Sequence, residues 1–171
     1  MRKNDEQNKT KSGSAPELFE RVKNPLGIEG HWKATLKDQY GNYKTHVEGK
    51  NVVTNSGIAF LAKFLHSAAT SGSFTMNYIA IGTDSTAEAA GNSTLGTEAS
   101  RHTGVISYAG AGVFTVVATF AAGSGTGDIV EYGVFSANTN GTMFNRATQS
   151  AVAKGASDSL EVTCNITLSN T

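Results

Sequence analysis

The sequence predicts a mainly β protein: an antiparallel, jelly-roll-like β-sandwich with one amphipathic helix and an extended N-terminal arm. Three observations predict it. About eight short segments alternate apolar and polar residues with a period of two, which is the pattern of strands with one buried face. Turns rich in Gly, Ser, Thr and Asn separate them. Only one segment, 57–66, changes convincingly to helical spacing.

The arm comes first. Residues 1–15 (MRKNDEQNKTKSGSA) show no apolar periodicity and cannot bury enough surface to offset their ordering entropy. They read as a segment that orders on a partner, with Arg2, Lys3, Lys9 and Lys11 as its cationic contacts. A short helical stretch over 17–23, stopped by Asn24 and Pro25, offers Leu18, Phe19 and Val22 as apolar anchors. The expected division is therefore an arm over 1–30 and a sandwich domain over 31–171, itself a hairpin at 31–50 and a core at 51–171.

In the hairpin, Trp32, Ala34 and Leu36 share one face of 31–37, residues 38–42 (DQYGN) carry turn chemistry, and 43–48 returns with the same period. In the helix, Ile58, Leu61 and Leu65 form a stripe widened by Phe60 and Phe64, with Ala59, Lys63 and His66 facing away. Asn55 or Ser56 is placed to cap it. Strands follow at 78–82, 104–108, 113–120, 128–136, 143–149 and 159–169. The last is the cleanest: Leu160, Val162, Cys164, Ile166 and Leu168 share one face. Residues 123–127 (GSGTG) and 138–141 (NTNG) read as turns.

The chain has 171 residues, 14 basic against 14 acidic, and that balance hides a split. Residues 1–50 hold ten basic and seven acidic groups, a net of +3, so residues 51–171 hold four and seven, a net of −3. Neutrality overall argues against a generic polyanion binder, and no sequence-specific nucleic acid is expected as partner. A single cysteine excludes an internal disulfide framework. No apolar run is long enough to span a membrane, and residues 1–11 are too polar for a signal peptide, so a protein made in the cytoplasm with no membrane partner is expected.

Signatures of chemistry are sparse. The 123–127 glycines lack the Lys and following helix of a phosphate loop, so a loose hairpin turn is the better reading. His31, His46, His66 and His102 are too dispersed for a zinc site, and no cofactor or metal is expected. Cys164, on an apolar strand face, reads as a buried structural thiol. No Ser lies in a nucleophile elbow.

The acids are more informative. Glu131 sits on a strand face with Ile129 and Phe135, where a carboxylate must be paired. Beyond residue 50 the only arginines are Arg101 and Arg146. A bidentate Glu–Arg pair between 95–101 and the strand at 128–136 or 143–149 would satisfy both, making Glu98, Arg101, Glu131 and Arg146 structural ion pairs rather than catalysts. The competing reading is a glycosidase-like carboxylate pair, Glu98 with Glu131. Asp84, Glu88 and Asn92 could hold a hard cation, although their spacing matches no known loop.

The run NVVTNSG at 51–57 with its helix, YIAIGT at 78–83, TLGTEASR at 94–101, IVEYGVF at 129–135 and MFNR at 143–146 resembles a small β-sandwich type found in tailed-bacteriophage virions. The resemblance covers about residues 51–169 and rests on order and spacing. It implies a non-enzymatic virion component, foremost a capsid decoration or cement protein that binds the major capsid protein and itself, as a homotrimer at a symmetry axis of the shell. The alternative is a tail fibre, collar or baseplate part, with glycan or receptor binding through loops at 67–76, 83–100 or 138–142. A surface with few charges, cheap to desolvate against neighbours, suits either role.

Overall fold

The computed structural model describes residues 26–66 and 75–170. Two five-stranded antiparallel sheets face each other. The first has the order β2 (Tyr43–Lys50), β1 (Leu26–Lys37), β10 (Ser159–Asn170), β7 (Val113–Phe120), β6 (Val105–Gly110). The second has the order β3 (Val52–Val53), β9 (Met143–Lys154), β8 (Gly127–Phe135), β4 (Tyr78–Gly82), β5 (Glu98–Thr103). This is the predicted β-sandwich. The arm contacts Arg2, Lys3, Lys9, Lys11, Leu18, Phe19 and Val22 lie outside the described residues.

Alternation in the sequence becomes rows in the core. Trp32, Cys164 and Val116 are register partners across β1, β10 and β7, as are Ala34, Val162 and Ala118, and Leu36, Leu160 and Phe120. All are buried, against Ile79 and Ile81 of β4, Ile129, Tyr132 and Val134 of β8, and Phe144, Ala147 and Val152 of β9. Each large side chain so buried contributes about 1.5–3 kcal/mol of hydrophobic stabilisation.

At both lateral edges the chain passes from one sheet to the other. β2 runs through Asn51 into β3, and β5 runs through Gly104 into β6. The second corner needs its glycine: a Cβ on Gly104 would sit 2.8 Å from Val116 Cγ1 and 2.9 Å from the Val117 carbonyl. Residues 123–127 also cross between sheets, from β7 to β8, and do not form the hairpin that their turn chemistry suggested. The tight β6–β7 turn holds three successive positive φ angles, at Gly110, Ala111 and Gly112.

Several expected boundaries move. β1 begins at Leu26, inside the expected arm, because residues 26–30 pair with 166–170 of β10. The 31–50 hairpin is not an appendage: β1 lies between β2 and β10, and Trp32 is part of the core. The stretch 98–103, expected as loop, is a strand, and β9 continues to Lys154 rather than ending at 149.

The helix α1 (Asn55–His66) is present, but Thr54 caps it instead of Asn55 or Ser56. The Thr54 hydroxyl accepts from the Gly57 amide at 3.0 Å, and its carbonyl accepts from the Ile58 amide at 3.0 Å. The Thr54 hydroxyl also lies 2.6 Å from the Met143 carbonyl, which fixes the first turn to β9. Rotation about that anchor turns Phe60 toward the core and leaves Ile58 and Phe64 47% and 48% exposed, so the expected stripe is only partly the packed face. Leu65's side chain lies outside the described residues.

Gly57 brings helix and sheet into direct contact, since a Cβ there would run into the Phe144 carbonyl and approach its carbonyl carbon to 2.9 Å. Backbone cannot yield as a side-chain tip does. Gly57→Ala is therefore expected to destabilise the fold by about 1–3 kcal/mol in urea denaturation, although alanine is the better helix former. A neutral result would mean that α1 is not seated this closely.

Candidate functional site

Glu131 and Arg146 are the centre of the second sheet's outer face. A β-bulge between Ile129 and Glu131 reverses the alternation of β8, so Ile129, Tyr132 and Val134 enter the core between the sheets. Glu131 therefore does not share a face with Ile129, as simple alternation predicts. It points outward beside Arg146 of the neighbouring β9, under the loop 83–97 that joins β4 to β5.

The pair is dry, with Glu131 0% and Arg146 2% exposed. Five donors converge on the carboxylate. Oε1 accepts from the Thr97 amide at 2.8 Å and the Asp84 amide at 3.2 Å. Oε2 accepts from the Gly96 amide at 2.9 Å and from Arg146 Nη2 and Nε at 2.8 and 3.1 Å. Both guanidinium nitrogens use one oxygen, so this is not the bidentate fork expected. The other oxygen is left for the loop, and the link from β8 to residues 95–97 is made through backbone amides.

Arg146 completes the clamp from below. Nη1 lies 3.4 Å from both the Ala87 carbonyl and Asn92 Oδ1, and Nη2 lies 3.4 Å from Asp84 Oδ2. Thr148 of β9 donates to the Thr86 carbonyl at 3.2 Å, and the Asn55 amide donates to the Ala90 carbonyl at 2.8 Å. At the loop's neck the Thr83 amide donates to the Thr97 carbonyl at 3.0 Å. Gly82 and Gly96 give the carboxylates room, because a Cβ on the first would meet Glu131 and on the second Asp84. Leu95 then seats in a small second core with Ala80, Phe135 and Met143.

Glu98 and Arg101 form the other expected pair, and here the fork is bidentate: Nε to Oε1 at 3.0 Å and Nη2 to Oε2 at 2.6 Å. Arg101 also donates to the Ala137 carbonyl at 2.9 Å and lies with Cζ 3.5 Å above the Phe135 ring centroid. All four predicted tie residues thus lie on the second sheet, as two separate pairs. Asp84 and Asn92, grouped with Glu88 as candidate cation ligands, turn their oxygens to the Arg146 guanidinium instead. Among the described residues no cluster of three or more metal-ligating side chains is found. Glu131 faces its arginine and three amides, not Glu98 across an open cleft.

Sequence reasoning missed a third tie. Lys154, 1% exposed at the end of β9, donates to the carbonyls of Asp158 at 2.8 Å and Ala121 at 3.0 Å. Burial pulls its ammonium below the ordinary lysine value, and Asp158 opposes this. The Asp158 carboxylate receives Lys44 at 2.7 Å and the Gly155 amide at 2.9 Å. The signal was Lys154 falling two positions after inward Val152, once β9 is carried past 149. Cys164 is fully buried as expected; burial pushes its thiol up to about 12, slightly offset by Asn145 Nδ2 at 3.4 Å.

Beside the clamp, Asp84, Thr86, Asn92, Ser93, Thr94 and Arg146 line a shallow polar hollow of about 250 Å3. Comparison of the chain with protein-family models, curated proteins and solved structures gives no match.

A buried ion pair is mainly an obligation, because desolvation offsets most of its attraction. Removing one member leaves the other charged and dry. Glu131→Gln and Arg146→Met are each expected to lose about 3–5 kcal/mol of stability, with the double variant losing less than their sum. Additive losses in urea denaturation would mean that the two do not act as a unit. Asp84 is held below its ordinary value of 3.8, first by the Thr86 amide and then by the Thr86 hydroxyl. A depressed folded value contributes stability above the ordinary carboxylate pKa and loses it as pH falls through the folded one. The urea midpoint should therefore decline below about pH 4, and less so in Asp84→Asn. An unchanged acid profile in that variant would remove Asp84 from the clamp. Cys164 should resist thiol reagents in the native protein and react fully in denaturant. Rapid native labelling would contradict its place in the core.

Proposed function

We propose that this chain is a non-enzymatic structural protein of a tailed-phage virion, foremost a decoration or cement protein that binds the major capsid shell. The observation that carries the proposal is where the body's scarce charges are used. Of the four basic residues beyond position 50, Arg101, Arg146 and Lys154 are committed to internal ties, and Glu98, Glu131, Asp84 and Asp158 are their partners. The side chains best equipped for acid–base work hold loops in place. What they leave beyond position 50 is a sparsely charged surface rich in Gly, Ser and Thr, which is inexpensive to desolvate against a neighbour.

The resemblance in order and spacing over residues 51–169 supports the virion assignment, and the basic excess of residues 1–50 suits contact with an acidic shell. The described part of the sandwich begins at Leu26 of β1, so a version lacking residues 1–25 keeps every described strand. The polar hollow at 83–97 favours a second reading, a fibre or baseplate module that binds a glycan there.

Three measurements decide between these readings. Quantitative mass spectrometry of purified virions should find a copy number comparable to that of the major capsid protein; a handful per particle would place the chain in the tail. The folded protein should bind empty capsids, and a version lacking residues 1–25 should lose most of that binding. Undiminished binding would refute the role of the arm, and glycan-array binding without capsid binding would favour the fibre reading.

A further inference from the structure

Among the described residues, the four strands that border the sheets are not alike. An open sheet edge presents unpaired amides and carbonyls, and proteins ordinarily guard it with charges, prolines or brevity. β2 carries Lys44, Glu48 and Lys50, β5 carries Glu98 and Arg101, and β3 is two residues long. β6 has none of these guards. Its sequence VISYAG holds no charged residue and no proline, and Val105 and Tyr108 are each 74% exposed, with Ile106 at 43%.

We propose that β6 is a self-association site, where a second copy of this chain adds its own β6 antiparallel across a two-fold axis. The two first sheets would then become one ten-stranded sheet. Three features argue for a copy rather than a foreign strand. An antiparallel pairing about a two-fold axis places the same six residues on both sides, and an uncharged strand meets no like-charge repulsion in doing so. A foreign partner, by contrast, finds no charge on β6 by which to be chosen.

The faces also match. Ile106 and Tyr108 are register partners of Val116 and Phe114, so they lie on the core side, and Val105 and Ser107 lie on the outer side. Ile106 further lines an apolar groove of about 330 Å3 with Leu61, Met76, Phe114, Phe144 and Leu168. Pairing at β6 sets the two grooves side by side and buries Ile106 and Tyr108 against their counterparts. This contact is two-fold and independent of where in a virion the chain sits. It differs from the three-fold grouping expected from the resemblance.

Sedimentation velocity over a range of concentrations tests the proposal, with hydrogen exchange at β6 as a second readout. The full chain should reach twice its monomer mass, and those amides of 105–110 that point away from β7 should gain protection as the concentration rises. Val105→Lys combined with Tyr108→Lys should return it to monomer at every concentration, since both positions are exposed and charge blocks edge pairing. Tyr43→Lys, on the opposite edge, should leave the dimer intact. If the double variant folds poorly, Val105→Lys alone and the exchange data on the unaltered chain decide. A monomer throughout, a trimer, an oligomer that survives the lysines, or β6 amides that exchange freely would each overturn the proposal.

Discussion

The Glu131 carboxylate is the constraint on which the second sheet and its loop depend. A dry carboxylate needs all its lone pairs occupied, and five donors from three segments supply that need. Meeting it fixes the path of residues 83–97, seats Leu95, and holds Arg146 where its remaining nitrogen, Nη1, reaches the Ala87 carbonyl and Asn92. The pair adds little net attraction of its own. Its effect is specificity, because any arrangement that opens the loop exposes three amides and strands an ion.

The same device recurs at smaller scale. Arg101 bridges Glu98 to the turn after β8, and Lys154 fastens the turns at 121 and 158 beneath β9. Each tie fastens a connection to a strand that apolar packing has already placed. The division of labour is physical: apolar rows set which strands pair and in what register, and scarce charges determine the course of the loops between them. Of the basic residues beyond position 50, these ties leave only Lys63 outside them, which supports the assembly role proposed above.

Much of the sandwich was legible from period-two alternation. Trp32, Ala34, Leu36 and the β10 face could be read directly because each strand has one buried side, which leaves its mark on every second residue. The four tie residues were legible for a different reason: a carboxylate on a mostly apolar strand needs a partner, and beyond residue 50 there are only two arginines. Their pairing geometry was not legible. The bulge after Ile129 leaves no mark in the alternation, and it sends Glu131 to the outer face. The helix cap moved to Thr54 because the Met143 and Phe144 carbonyls stand above that hydroxyl, and nothing local to 54–57 reveals them. Strand β5 was hidden because none of its residues is buried: Glu98 and Ala99 are exposed and Ser100, Arg101 and His102 only half-buried, so no apolar alternation marks it.

By itself the sequence determined the class of fold, the strand faces that make the core, the single buried thiol and the residues obliged to pair, because these follow from local periodicity and from the cost of burying charge. Tertiary structure alone decided which arginine meets which glutamate, that the chain changes sheets at Asn51 and Gly104, and that residues 26–30 belong to the body. It also decided that, among the described residues, the uncharged strand β6 borders the first sheet. Those are matters of what lies across from a residue, and no pattern along one strand records its neighbours in space.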